Sequence, residues 1–181
     1  MNTSAHGSLR LGVTLVALTV VTLLAAAPTQ AAGRTSAVCV HQFTSTISPG
    51  FTPVPSSGTQ TTHGETGSIL CVGKIAGRRV TGPGSIGFDM PYTAASCAGE
   101  NGTGTVRATV PTTTGDQHLV GTLIVRRTAL AIRADAQFGS IRQFGGIRYT
   151  GTGTAIPVQG NCFLTPLQRA LIVLTGTLSS K

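Results

Sequence analysis

A glycine-rich stretch carries the most recognisable chemical pattern in this sequence, VTGPGSIGFD at 80–89. Gly82, Gly84 and Gly87 satisfy the G-x-G-x-x-G spacing with which dinucleotide-binding folds hold a pyrophosphate at a helix N-terminus. That chemistry requires a helix directly after the glycines, whereas the continuation is FDMPYTAASC, in which Pro91 stops a helix. The sequence therefore predicts no dinucleotide cofactor, and it offers no motif for any other cofactor.

The same stretch nearly matches the G-x-S-x-G elbow, which presents a catalytic serine between a strand and a helix. Ser85 has Pro83 where the first glycine should stand, and no helix is predicted behind it. Three histidines are candidate bases, His41, His63 and His118, but none lies in a local pattern that aims it at the serine. Ser85 is therefore not expected to be a catalytic nucleophile.

Metal-ligating and paired acidic residues are also scarce. His63 and Glu65 flank one glycine in a polar segment, and two donors do not make a metal site. The five carboxylates are scattered along the chain, so no pair is placed for glycoside hydrolysis. We expect neither a bound metal nor a two-acid active site.

Four cysteines, Cys39, Cys71, Cys97 and Cys162, are separated by gaps too long for the paired spacing of a zinc site. An even number in an exported chain predicts two disulfides, for which three pairings exist. We favour Cys71–Cys97, which would close the glycine-rich segment, together with Cys39–Cys162, which would join the two ends of the domain.

Residues 1–32 resemble a secretory signal peptide that is removed from the mature protein. Arg10 precedes an uncharged apolar run at 11–27, and small residues at Ala31 and Ala32 suit a cleavage site. The alternative is an uncleaved anchor, because the run is at the lower length limit for spanning a bilayer. We expect cleavage, secretion, and no membrane span in the mature chain.

The mature chain is basic. Of thirteen Lys and Arg and five Asp and Glu, only Arg10 lies in the signal segment, which leaves a net charge of +7. Such a surface attracts anionic polymers of the cell envelope, although net charge alone also serves solubility, and we expect no nucleic acid partner. The densest basic cluster, and the weak candidate for anion binding, comprises Arg126, Arg127, Arg133, Arg142 and Arg148.

Period-two alternation of apolar and polar residues predicts the fold of residues 33–181 as one all-β domain. It places Val106, Ala108 and Val110 on the inner face of one strand. The inner face of another strand is predicted to carry Leu130, Ile132, Ala134, Ala136 and Phe138. About eight antiparallel strands are expected in a single closed barrel or a sandwich, with a Pro/Ser/Gly/Thr-rich loop at 48–67. The segment 166–174 combines a helix-capping pattern with a β-branched centre. We expect it to be a strand that pairs with the first strand and hides both sheet edges; a short amphipathic helix is the alternative.

Two glycines suggest space inside this domain. Gly151 and Gly153 share the apolar face of one predicted strand with Tyr149. Missing side chains on an inner face allow either close approach of another backbone or room for a ligand. Because eight-stranded barrels can hold one small molecule, these three residues are the candidate cavity lining.

A stretch that covers residues 71–115 carries a family resemblance: CVGKIAGRRVTGPGSIGF, a cysteine after YTAAS, and GENGTGTVRATVPTTTG. In this Gly/Thr patterning with two cysteines, the chain resembles small secreted β-rich proteins of actinobacteria. The resemblance implies no activity, cofactor or catalytic residue.

These observations predict an exported, non-enzymatic binding or interaction module of the cell envelope or extracellular space, with an anionic envelope polymer as its partner. The alternative is a carrier of a small hydrophobic ligand in a barrel cavity. A secreted hydrolase or a hydrolase inhibitor is the third hypothesis, and the inhibitor would require an exposed rigid loop, for which 48–67 is the candidate.

Overall fold

The computed structural model describes residues 33–62, 67–139 and 146–180. The predicted signal peptide at 1–32, together with His63, Glu65 and Arg142, therefore lies outside the described residues. The described chain consists of ten strands, which are β1 Ser36–Phe51, β2 Ser56–Thr61, β3 Gly67–Ile75, β4 Arg78–Arg79, β5 Gly84–Ala95, β6 Gly99–Thr112, β7 Gly115–Thr128, β8 Ala131–Phe138, β9 Ile147–Gln159 and β10 Leu167–Ser180. No helix of the described residues is long and apolar enough to cross a membrane.

The strands are antiparallel and hydrogen-bonded in a closed ring. Starting from β1, the ring passes through β10, β9, β8, β7, β6 and β5. β2 and β3 share the eighth position end to end, because β2 pairs with residues 46–48 of β1 and β3 pairs with residues 36–42. Both also pair with β5, which closes the ring. The prediction of an all-β domain with about eight antiparallel strands is confirmed.

Ring closure depends on the C-terminal segment. β10 pairs with β1 from Ser36↔Ser179 to Thr46↔Arg169 without interruption, and its other edge pairs with β9. The expectation that this segment forms a strand is confirmed, because a helix there would leave the edges of β1 and β9 unpaired.

Alternation along the strands sends one set of side chains inward. In β1 every second residue from Ala37 to Ile47 is buried, and the residues between them face outward. The inner faces predicted from sequence are confirmed for β6, β8 and β9. Leu130 is the exception, since it lies in the turn before β8 and is exposed.

The segment 48–67, expected to be a loop, contains more regular structure than its composition indicates. β1 continues to Phe51, and β2 occupies Ser56–Thr61. β2 forms because it pairs with β1 on one edge and β5 on the other. Gln60 is buried and donates a hydrogen bond to the Ser45 hydroxyl at 3.0 Å. Two-sided pairing therefore outweighs the turn-forming composition.

The glycine-rich stretch at 80–89 is a bend followed by a strand. The chain bends at Gly82, and β5 then runs from Gly84 to Ala95 without a helix. A side chain at Gly84 would collide with the backbone carbonyl of Thr109 on β6. Ser85 lies in the strand between Ser68 and Thr109. Residues 80–95 therefore have neither the cofactor loop nor the serine elbow.

Two disulfides are present, and the favoured pairing is wrong. Cys39 bonds Cys71 and Cys97 bonds Cys162. Cys39 and Cys71 are direct cross-strand partners in β1 and β3, with Cα atoms 4.0 Å apart. Cys97 follows β5 and Cys162 lies between β9 and β10, so both are at the same end of the ring. The error arises because β3 returns alongside β1, which local patterns do not reveal.

Removing the disulfides tests this architecture. Converting Cys97 and Cys162 to alanine is expected to lower the free energy of unfolding by about 3–5 kcal/mol, because their bond closes the longer loop. The matched double variant carries Cys39→Ala and Cys71→Ala. Its free energy of unfolding should fall by roughly 0.6 kcal/mol less, because the Cys39–Cys71 bond closes a loop half as long. Urea denaturation measures both losses, and a larger loss in the Cys39/Cys71 variant would contradict this assignment.

Candidate functional site

A cavity of about 50 Å³ lies within the ring, between the inner faces of its strands. We call it the core cavity. Its wall is formed by apolar side chains such as Phe88, Leu123 and Ile132. Four polar side chains of the described residues take part in the wall, namely His41, Gln60, Glu100 and Tyr149.

His41 and Tyr149 are the unusual members of this wall. His41 is 3% exposed and Tyr149 is 4% exposed, and their rings meet edge to face with centroids 4.8 Å apart. Neither imidazole nitrogen nor the phenolic hydroxyl has a hydrogen-bond partner among residues 33–62, 67–139 and 146–180. Buried polar groups are nearly always paired, since an unpaired one costs about 1–3 kcal/mol. The two side chains therefore offer hydrogen bonds to a guest in the core cavity.

Burial keeps both groups neutral. Desolvation lowers the pKa of His41 to about 4, so the imidazole is uncharged at neutral pH. Desolvation also raises the pKa of Tyr149, so its hydroxyl keeps its proton. A neutral imidazole has one donor and one acceptor nitrogen, and a tyrosine hydroxyl can donate and accept. The pair can thus bind a neutral hydroxyl, carbonyl or amine.

Glycines hold Tyr149 in this position. Gly151 on β9 pairs directly with Gly176 on β10, and the tyrosine ring lies where their side chains would be. A side chain at Gly151 would collide with the Tyr149 hydroxyl. Gly153 is crowded by the backbone of Val173 and Leu174. Of the three predicted lining residues, only Tyr149 forms part of the cavity wall, and the two glycines accommodate neighbouring atoms.

A polar layer of Gln60, Glu100 and Arg127 separates the core cavity from one end of the ring. Glu100 and Arg127 are cross-strand partners on the inner faces of β6 and β7, with Oε1 and Nε 3.8 Å apart. Arg127 also donates hydrogen bonds to the carbonyls of Ala129 at 2.7 Å and Cys97 at 3.2 Å. Burial raises the pKa of Glu100 to about 7, opposed by the charge of Arg127.

Beyond this layer lies a second cavity of about 270 Å³, which we call the outer pocket. Gln60 borders both cavities, Glu100 faces the core cavity, and Arg127 faces the outer pocket. The Cys97–Cys162 disulfide and the exposed side chains of Leu130 and Phe163 complete its wall. The two cavities are therefore successive compartments along one axis of the ring.

The predicted basic cluster is divided: three of its arginines are exposed on β7, β8 and β9, Arg127 is buried, and Arg142 lies outside the described residues. Arg126 and Arg133 face outward as direct partners of β7 and β8, and Arg133 also lies 3.4 Å from Asp135. Arg148 opposes Gln137, four residues along β8 from Arg133 and thus about 13 Å away. Arg127 points inward, because it continues the inward alternation of β7.

The described residues contain neither a hydrogen-bonded histidine–serine pair nor a cluster of metal ligands. His118 is exposed, and its Nδ1 lies 3.1 Å from the Thr109 hydroxyl. His41 has no hydrogen-bond partner within the described ranges, so neither histidine there is hydrogen-bonded to a serine. No group of three metal-ligating side chains occurs in the part of the chain that the structure describes.

Comparison with known protein families, curated protein sequences and solved structures finds no match for this chain.

Sequence reasoning missed His41 and Glu100 as site residues. His41 alternates with Cys39 and Phe43, and Glu100 faces Arg127, so both follow the inward period of their strands. The alternation was therefore the available signal. Alternation alone is weak evidence for a buried polar residue, because polar side chains in strands more often face solvent.

The two tyrosines of this chain provide a matched test of the unpaired hydroxyl. Tyr149→Phe is expected to raise the free energy of unfolding by about 1–3 kcal/mol, because it removes a buried hydroxyl that has no partner in the described chain. Tyr92→Phe should lower it by about 1 kcal/mol, because the Tyr92 hydroxyl donates to the Ser48 carbonyl at 3.1 Å. Chemical denaturation measures both changes, and equal losses in the two variants would disprove the assignment.

Stability should depend on pH through two opposing groups. Glu100 has a pKa of about 7 when folded against 4.5 ordinarily, so folded molecules bind more protons and stability falls from pH 4.5 to 7. His41 has a pKa of about 4 against 6.5, so unfolded molecules bind more protons and stability rises from pH 4 to 6.5.

Single substitutions of Glu100 and His41 separate their opposing contributions to the pH dependence of stability. Between pH 4.5 and 6.5, Glu100→Gln should leave a stability that rises with pH, whereas His41→Phe should leave one that falls. The wild-type protein should have a flatter profile than either. Urea midpoints measured across this range test the prediction, and slopes of the same sign in both variants would refute it.

Proposed function

We propose that this protein binds a small, neutral, mostly apolar molecule carrying one hydrogen-bonding group, inside a barrel-type ring of strands. The observation that carries the proposal is the pair His41 and Tyr149, two deeply buried polar side chains without partners in the described chain, on the wall of an apolar cavity. A ligand hydroxyl, carbonyl or amine would supply the missing partner, and its apolar part would contact the surrounding aliphatic and aromatic side chains.

The residues that line the core cavity favour an uncharged ligand. Among the described residues, Glu100 is the only carboxyl group in this wall, and burial raises its pKa because the environment disfavours charge. A charged ligand would need a buried counterion, and Arg127 faces away from the core cavity. A neutral ligand requires none.

Ligand size is set by the two compartments. The core cavity alone accepts only a few non-hydrogen atoms. A longer chain reaches the outer pocket by passing Gln60, which borders both cavities. We infer that a ligand places its polar group at His41 and Tyr149 and extends its apolar end towards the outer pocket.

The cellular location and the macromolecular partner of the protein are two separate proposals. Two disulfides are consistent with an oxidising environment, and we propose that the protein is secreted after removal of residues 1–32. Binding of an anionic envelope polymer is a second proposal, supported by the outward pair Arg126 and Arg133. The inward position of Arg127 and the distance to Arg148 make that surface small.

A series of straight-chain alcohols from ethanol to 1-octanol tests the ligand proposal. Affinity should rise about fourfold for each added CH₂ until the accessible space is filled, and then level off. Xenon serves as the purely apolar probe. Tyr149→Phe should weaken 1-butanol binding roughly fivefold while xenon uptake persists.

NMR titration supplies both measurements, and Tyr92→Phe is the control because Tyr92 does not border the core cavity. That control should bind 1-butanol as the wild type does. Absence of saturable binding of every alcohol, or an unchanged 1-butanol affinity in Tyr149→Phe, would overturn the proposal.

A further inference from the structure

The loop at 160–166, between β9 and β10, presents the two most exposed large apolar side chains of the described chain. Phe163 is 81% exposed and Leu164 is 87% exposed. Val54, before β2, and Leu130, in the turn before β8, are exposed at the same end of the ring. We call these four residues the apolar tip. Leaving so much apolar surface in water is unfavourable, which marks an interaction site.

The loop is held in one conformation. The side-chain oxygen of Asn161 accepts hydrogen bonds from the backbone N–H groups of Phe163, Leu164 and Thr165, at 3.2, 2.8 and 3.1 Å. Cys162 donates its own N–H to the Thr165 carbonyl and is tied to Cys97 by a disulfide. Phe163 and Leu164 are therefore presented by a fixed bent loop, which reduces the entropic cost of binding through them.

The bent backbone narrows the choice of partner. Cys162 has a left-handed φ of 73°, and residues 162–165 form successive bends. A loop that binds by adding a strand to another protein must be extended, and this loop is not. Its geometry instead projects two apolar side chains outward from the end of the ring.

Three arginines lie near the tip, on the side of the ring formed by β7 to β10. Arg126 and Arg133 lie three or four residues from Leu130 along β7 and β8, and Arg169 lies three residues after Pro166 on β10. These arginines are exposed and, by strand rise, about 10 Å from the tip. Of the carboxylates nearby, Asp135 is paired with Arg133 and Glu100 is buried.

The two ends of the described chain, Gly33 and Ser180, lie away from the tip. Gly33 packs against Gly77, and Ser180 donates to the Thr35 carbonyl, so both ends lie at the opposite end of the ring. Four other exposed apolar residues, Val38, Val40, Leu70 and Val72, form cross-strand pairs of β1 and β3. They are part of the side wall, and that wall serves as an internal control.

We propose that the apolar tip inserts into the interfacial layer of an anionic phospholipid membrane, with these three arginines at the level of the headgroups. Phe163 and Leu164 enter the acyl boundary, and Arg126, Arg133 and Arg169 bind phosphates. The outer pocket, which Phe163 and Leu130 border, then opens towards the membrane. This docking does not require the core cavity to hold a ligand.

Vesicle co-sedimentation of residues 33–181, which contain all ten strands and both disulfides, tests the proposal. The vesicles contain phosphatidylglycerol and phosphatidylcholine, with pure phosphatidylcholine as the second arm. The wild type should bind the anionic vesicles and bind the pure phosphatidylcholine vesicles more weakly. Phe163→Ser with Leu164→Ser should reduce binding to the anionic vesicles by roughly tenfold to hundredfold.

The matched control is Val38→Ser with Val72→Ser, which removes two exposed apolar side chains from the wall. It should bind as the wild type does, and Tyr149→Phe should also leave vesicle binding unchanged. Equal binding by the tip variant and the wild type, loss in the wall variant alone, or no vesicle binding by the wild type would overturn the proposal. The last outcome would assign the tip to a protein partner.

Discussion

Antiparallel pairing of β1 with β10 is the interaction on which the rest of the structure depends. It joins the two termini of the described fold over eleven consecutive residue pairs, from Ser36↔Ser179 to Thr46↔Arg169. Once the ring is closed, period-two alternation sends one face of every strand into a common interior. His41, Tyr149 and Arg127 come from strands far apart in sequence, and they share that interior only because the ring is closed.

The space left inside the ring depends on the size of the side chains that fill it. The chain has no Trp, two Tyr and six Phe, so few large side chains are available for an eight-position ring. Both tyrosines are buried, and paired glycines at 151 and 176 accommodate the ring of Tyr149. The polar layer at Glu100 and Arg127 divides the remaining space into two cavities. Cavity, unpaired hydroxyl and polar layer are thus consequences of one closed, sparsely filled interior.

Local periodicity was enough to predict the fold class and the inner faces of β6, β8 and β9. The strand at the C-terminus was predicted on another ground, the need to pair the edge of the first strand. Local periodicity failed where the outcome depends on long-range register. The partner of Cys39 is set by β3 returning beside β1, and β2 exists because strands flank it on both sides. Of the four polar side chains that the described chain contributes to the cavity wall, only Tyr149 was predicted, because polar side chains more often face solvent.

The central claim is the proposal that the His41 and Tyr149 side chains, which have no hydrogen-bond partner among the described residues, bind a guest in the core cavity. A high-resolution crystal structure of the protein soaked with 1-butanol tests it most directly. The account predicts an alcohol hydroxyl about 2.6–3.2 Å from the Tyr149 hydroxyl or an imidazole nitrogen of His41, with the alkyl chain directed towards Gln60. A Tyr149 hydroxyl bonded to a protein acceptor, or a cavity that holds ordered water and excludes the alcohol, would contradict it.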